Sequence, residues 1–392
     1  MGSLVSPHGR STLSPLIAPK QKLAAVERHA RNLIQIPMNS REKSDLLLMA
    51  MGAYTPIKGF VGEADWTNIC ANMRLDDGLF WPIPITLSVA KSLAKNIAIG
   101  DEVVLIDPED NNLPMAILTV TEKYLPDLEF ECKHVFGTTN KAHPGVKNIL
   151  TQKEVNLGGK IVVFEEGNFP KIFKNLYLRP EKSRAMFQRL GWSRIAAFQT
   201  RNPMHRSHEH LVKIAMEVTH GVFVHQVLGK LKPGDIPAEV RVKAIDVLIN
   251  NYFPENSVIQ AGYPIEMRYA GPREALLHAL VRQNFGCSHL IVGRDHAGVG
   301  DFYGPYDAQD IFDTLWDGAL LTRPLKMDIT FYCKKCYGMA SARNCPHNSN
   351  DRINITGTQQ REMLSSGKEI PPEFSRPEVV SVLREYYQSL KP

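Results

Sequence analysis

The stretch RIAAFQTRNPMHRSHEHLVKIAMEVTHGVFVHQV, from Arg194 to Val227, decides the fold of this chain. An apolar run from Arg194 to Gln199 reads as a strand, Pro203 to Val218 as a helix, and Gly221 to Val227 as a second strand. The alternation continues on both sides. Pro180 to Leu190 reads as a helix, Ala238 to Asn250 as another before SVIQAGYP, and GPREALLHALVRQNFG as a third leading into a strand from Ser288 to Gly293. Strands alternating with helices form βαβ units around a parallel sheet. In such sheets ligands lie outside the carboxyl ends of the strands.

Farther out the texture changes. Glu42 to Tyr54 has helical spacing, and WPIPITLSVA, DEVVLIDPE, LPMAILTVTEKY and FECKHVFGT then read as short strands between Pro, Gly, Asp and Asn. Strands in such close succession predict a β-rich domain, a barrel, over residues 1–168. Residues 169–330 then hold the parallel sheet, and residues 331–392 a small C-terminal domain ending in two helices around a Pro-rich turn. A chain of 392 residues is too long for one ordinary core.

Composition narrows the function classes. The net charge of +5, from 46 basic and 41 acidic side chains, is too mild to imply a nucleic-acid partner. Three cysteines stand alone and three cluster, which is no secreted disulfide framework; a reducing, cytoplasmic setting is expected. The first residues lack the apolar core of a secretory signal, and no apolar run is long enough to cross a bilayer, so no membrane partner is expected. MGSLVS fits the myristoylation pattern by letter but has no second membrane signal beside it. A G-x-x-x-x-G-K-[ST] loop is missing from the sequence, which argues against a P-loop kinase.

The chemistry concentrates at two strand ends. After the strand closing on Gln199 and Thr200, Asn202 suits an N-cap and Pro203 the first helical position. His205 and His208 then share one face of the opening turn. A helix N-terminus attracts phosphate, and Arg201 adds a guanidinium that grips tetrahedral oxyanions. Arg206 and Glu209 read equally well as part of this cradle or as solvated helix surface. A second strand end, LIVGRDHAGVGDFYG, brings Gly293, Arg294, Asp295 and His296: glycine for close approach, arginine for phosphate, aspartate for a ribose or base. Between the two, KLKPGDIPAEVR offers Lys230, Lys232 and Asp235 on a loop suited to cover the site. Separately, Cys333, Cys336, Cys345 and His347 form a candidate Zn²⁺ set. The C-x-H spacing is tighter than usual, and free reduced cysteines are the competing reading.

With QTRNPMHRSHEH and GRDHAGVGD in place, the chain resembles the ATP sulfurylase family. SREKSDLLLMAMGAYTPIKGF, PIPITL, HPGV, KPGDIPAEVR, YAGPREALLHALVRQNFGCSH and FSRPEV carry the likeness along nearly the whole chain. The resemblance implies an α/β protein with an N-terminal PUA-like β-barrel, a Rossmann-like nucleotidyltransferase domain and a small C-terminal α/β domain, without a fused kinase. It implies the reaction of ATP with sulfate to give adenylylsulfate and pyrophosphate, with Mg²⁺ accompanying ATP. It also implies roles. Thr200, Arg201 and Asn202 would be catalytic; Gln199, Arg201 and the backbone of Ala297 would hold sulfate. Gln199, Asn202, His205, His208, Gly293, Arg294, Asp295, His296 and Met327 would bind ATP. Bacterial relatives further imply a structural Zn²⁺ and a homodimer or higher homo-oligomer. Two rivals are a nucleotidyltransferase with another acceptor and an RNA-binding protein; an aromatic-basic strip of the RRM kind is missing, which weighs against the second.

Overall fold

The computed structural model describes residues 2–229, 236–353, 355 and 357–390. The expected cover with Lys230, Lys232 and Asp235 lies outside the described residues. The first sheet comprises β1 (Ile34–Pro37), β2 (Gly59–Phe60), β3 (Ser88–Val89), β4 (Glu102–Asp107), β5 (Leu113–Tyr124) and β6 (Val155–Val163), in the order β1-β4-β5-β6-β2 with β3 also on β6. Its pairs are antiparallel except β1 with β4. Strand β4 buries both faces. Val103 and Leu105 enter the main core, whereas Val104 and Ile106 pack with Ala30, Ile117 and Phe164. That explains its continuous apolar run.

Two expectations for this region change. FECKHVFGT is not a strand but most of the helix Leu128–Phe136, capped where the Asp127 carboxylate accepts from Phe130 N at 3.0 Å. Its buried Cys132, Val135 and Phe136 are spaced for a helical face, which outweighs the β-favouring letters. WPIPITLSVA contributes only Ser88–Val89, because its prolines cannot donate to a ladder. The sequence reading passed over β6, whose Gly158 and Gly159 interrupt the apolar alternation. Close packing requires glycine there: a Cβ on Gly159 would lie 2.0 Å from Thr119 O, and one on Gly158 2.9 Å from Gly62 Cα.

The second sheet is parallel and five-stranded, with β7 (Ile195–Thr200), β8 (Gly221–Val227), β9 (Val258–Tyr263), β10 (His289–Val292) and β11 (Arg323–Lys326) in the order β11-β10-β7-β8-β9. Alternate residues of β7 enter opposite cores. Ile195 and Ala197 pack in the cluster shared with the first sheet; Ala196 and Phe198 pack with Val212, Leu248, Val379 and Leu383 of three helices. The helix Pro272–Phe285 is buried all round from Glu274 onward. The third sheet, β12 (Thr330–Cys333), β13 (Gly338–Ser341) and β14 (Arg352–Ile353), is antiparallel in the order β13-β12-β14.

Buried polar contacts fasten the first sheet's unit to the second. Asp45, on the helix Ser40–Ala50, takes Arg268 Nη2 at 2.6 Å on both carboxylate oxygens. Ser44 on the same helix donates to Pro264 O and accepts from Glu266 N. Breaking such a buried pair by removing one partner costs about 3–5 kcal/mol. Among the described residues no helix is long and apolar enough to cross a membrane.

Candidate active site

From β7 the chain steps outward through β8 to β9, then returns to β10 on the other flank. The crevice between the tips of β7 and β10 is therefore the point where strand order reverses, the place a parallel sheet opens for a ligand. A cavity of about 800 Å³ lies there. Gln199, Thr200, Arg201 and Asn202 enter it from the first tip, with Ser207 and His208 from the following helix; Gly293, Arg294, Asp295, His296 and Ala297 enter from the second. Phe331, Tyr332, Met339 and Arg352 of the third sheet form the far wall, with Glu373 and Phe374.

The opening helix begins later than expected. It spans Arg206–Val218, and His205 rather than Asn202 occupies the N-cap. The Thr200 hydroxyl binds both backbone groups of Asn202, accepting from its N at 3.0 Å and donating to its O at 2.8 Å. That closes a tight loop and keeps Asn202 and Pro203 out of the helix. The first helical amide, Arg206 N, donates to Phe374 O at 3.1 Å, so part of the cap comes from the C-terminal segment. Neither Arg206 nor Glu209 lines the cavity, and Glu209 is not solvated surface. Arg206 donates to Pro372 O, and Glu209 is buried, held by two hydrogen bonds from Arg376 at 2.8 Å and by Lys213 at 2.7 Å.

His208 lines the cavity; His205 does not. The His205 ring stacks on Phe374 and meets Ser375 Oγ at 3.0 Å. Desolvation pushes buried His205 down to about 3, half-buried His208 to about 4, and half-buried His296, beside His278, to about 3. All three are neutral near pH 7. Positive charge in the cavity therefore comes from arginines: Arg201 and Arg294 at the strand tips and Arg352 on the far wall. Arg201 donates to Tyr269 Oη at 2.9 Å. Asp295 and Ala297 both adopt positive φ, 56° each, folding the loop after β10 into a concave turn. Gly293 has room for a Cβ, which would meet no atom within 4 Å; what its bare backbone leaves open is space beside the cavity. Met327 is not on the wall. Its backbone joins Val292 O and Gln309 Nε2, and its side chain packs against the core.

A family model for ATP-sulfurylase matches residues 174–386, and one for a PUA-like domain matches residues 5–166. The sulfate adenylyltransferase of Syntrophobacter fumaroxidans is 58% identical over 393 residues, covering 100% of this chain and 96% of the relative. The chain belongs to the ATP sulfurylase family. It is accordingly an enzyme, a nucleotidyltransferase, with the expected PUA-like and Rossmann-like units. The sulfate adenylyltransferase of Chlorobaculum tepidum is 56% identical over 389 residues, covering 99% of this chain and 96% of the relative. A solved structure described as a hexameric APS kinase from Thiobacillus denitrificans superposes with a TM-score of 0.75 at 26% identity, covering 97% of this chain and 68% of that one.

One feature of the site was hidden in the letters. Tyr269 lines the cavity with a positive φ of 60°, and its carbonyl accepts from His143 Nε2 at 3.1 Å. His143 Nδ1 accepts from Gly145 N and Val146 N, which places the ring proton on Nε2. The signal for Tyr269 was its place before Ala-Gly-Pro and a helix, too common to single it out. The candidate Zn²⁺ set named from the sequence comes together in the structure. Cys333 Sγ and Cys336 Sγ each lie 3.3 Å from His347 Nδ1, Cys345 Sγ lies 3.7 Å from it, and Cys336 and Cys345 sulfurs are 3.8 Å apart. Edges of a tetrahedron around zinc are roughly 3.5–3.8 Å for such ligands. The tight C-x-H spacing is no obstacle, because the ring turns back through Nδ1.

Proposed function

We propose that the cavity joins sulfate to ATP, releasing pyrophosphate and leaving adenosine 5′-phosphosulfate. Sulfate is fully ionised near neutral pH and needs no general base. Its difficulty is electrostatic, because an anion must approach an anionic α-phosphate. Gln199 and Arg201 of the first tip and the Ala297 amide of the second hold sulfate. Asn202 and His208 beside the first tip, with Gly293, Arg294, Asp295 and His296 of the second, hold the nucleotide, and Thr200 fixes the loop that carries Arg201 and Asn202. A sulfate oxygen attacks the α-phosphorus in line, the bond to the bridging oxygen breaks, and pyrophosphate departs with its electron pair. Catalysis then rests on positioning and on fixed positive charge. Neutral His208 donates a hydrogen bond without competing for a proton, and His205 supports it from behind. Mg²⁺ accompanying ATP would supply charge neutralisation for the departing pyrophosphate. The same site serves the reverse direction, ATP from adenylylsulfate.

The observation that carries this reading is the pair Arg201 and Arg294 at adjacent tips of one parallel sheet, around a cavity whose histidines are uncharged. The experiment is sulfate-dependent release of pyrophosphate from ATP. Arg201→Ala is expected to abolish it while circular dichroism and melting temperature stay near wild type; near-normal turnover refutes the assignment.

Cys333, Cys336, Cys345 and His347 fit a structural Zn²⁺ in this reading, holding the third sheet over the cavity. The division at residues 168 and 330 separates the PUA-like, catalytic and C-terminal parts. A cytoplasmic homo-oligomer suits the cysteine usage and the hexameric relative.

A further inference from the structure

Behind the Gln199 end of the cavity lies an arginine with no evident counterion. Arg282, on the helix Pro272–Phe285, is wholly buried. Its Nη2 donates to Gln199 Oε1 at 2.7 Å, its Nη1 reaches His278 O at 3.4 Å, and its Nε has no hydrogen-bond partner. The guanidinium carbon lies 4.0 Å above the Tyr263 ring. Among the described residues no carboxylate is paired with it. Arginine keeps its proton even when buried. A buried charge without an opposite charge is costly, and such a group persists where something else balances it. His225 and His278 beside it supply no charge, since burial first and Arg282 second push both rings down.

The contact also settles which way the Gln199 amide faces. Its oxygen accepts from Arg282, so its nitrogen is the end lying 3.6 Å from Met267 Sδ, on a residue of the cavity wall, and 3.5 Å from His278 Nε2. We propose that Arg282 is a positioning residue of the oxyanion subsite: it turns the Gln199 carboxamide so that its NH2 group donates to the bound anion, and its own buried charge is balanced by that anion. Arg282 does not line the cavity and acts through Gln199. The proposal rests on the placement of sulfate at Gln199.

The test compares Arg282→Met, Arg282→Lys, Gln199→Ala and the double variant Gln199→Ala/Arg282→Met in sulfate-dependent pyrophosphate release. Loss of a charge-assisted hydrogen bond corresponds to about 10- to 100-fold, and that rise is expected in the KM for sulfate of Arg282→Met. The KM for ATP is expected to stay within about twofold. Arg282→Lys keeps the charge and recovers part of the loss. The double variant is expected to bind sulfate no worse than Gln199→Ala alone, because one residue works through the other. An unchanged sulfate KM in Arg282→Met, additive losses in the double variant, or equal losses for ATP and sulfate each overturn the role. Should Arg282→Met fail to fold, Arg282→Lys decides by the same split between sulfate and ATP. If Gln199→Ala itself leaves sulfate binding intact, the sulfate placement fails; if Gln199→Ala is impaired and Arg282→Met is not, the placement stands and only the inference falls.

Discussion

Neutral imidazoles at the cavity and behind its wall set a pH dependence whose sign follows from proton counting. His205, His208 and His296 have folded values of about 3, about 4 and about 3, below their ordinary 6.5. As pH falls below 6.5 the unfolded chain therefore binds protons first. Their stabilising contribution is complete above 6.5 and is lost as pH falls toward about 4 for His208 and about 3 for the others. The melting temperature is expected to drop between pH 6.5 and about 5, and to drop less in a His205→Asn/His208→Asn variant. A melting temperature that rises on acidification contradicts the assignment. At this scale Gln199, Arg201 and Arg294 were legible, because each sits where an apolar run stops. Tyr269 and Arg282 were not. Their meaning comes from partners 68 and 83 residues away, Arg201 and Gln199 respectively, which no local pattern discloses.

Strands β7, β8 and β10 were readable as elements because both faces of the sheet are covered, which forces continuous apolar runs. The start of the helix after β7 was misplaced by three residues, from Pro203 to Arg206. Asn-Pro resembles a cap, but the Thr200 hydroxyl claims Asn202, and Phe374 meets the first helical amide. Glu209 was ambiguous for the same reason: its partner Arg376 lies 167 residues on. The third sheet has a small core of Phe331, Cys333, Ala340 and Cys345, too little to hold three short strands alone. Protein purified without added metal is expected to carry one zinc per chain by elemental analysis. Chelation is expected to lower the melting temperature and to weaken ATP binding, since Phe331, Tyr332 and Arg352 wall the cavity. Metal-free protein with an unchanged melting curve argues for free thiols instead.

Across the whole molecule, the cavity is assembled from separate stretches of chain. The parallel sheet supplies two tips, the third sheet a wall, and the PUA-like unit a strut through Asp45 to Arg268 and through His143 to Tyr269, which in turn meets Arg201. The partition into a β-rich start and a βαβ centre could be read from texture, but this convergence depends on tertiary packing. The central claim is that two oxyanions are held side by side at the tips of β7 and β10. A crystal structure with adenosine 5′-phosphosulfate tests it most directly. The sulfate group is expected between Gln199, Arg201 and the Ala297 amide, with the nucleotide along Gly293 to His296. A product seated anywhere else, away from both Arg201 and Arg294, contradicts the account.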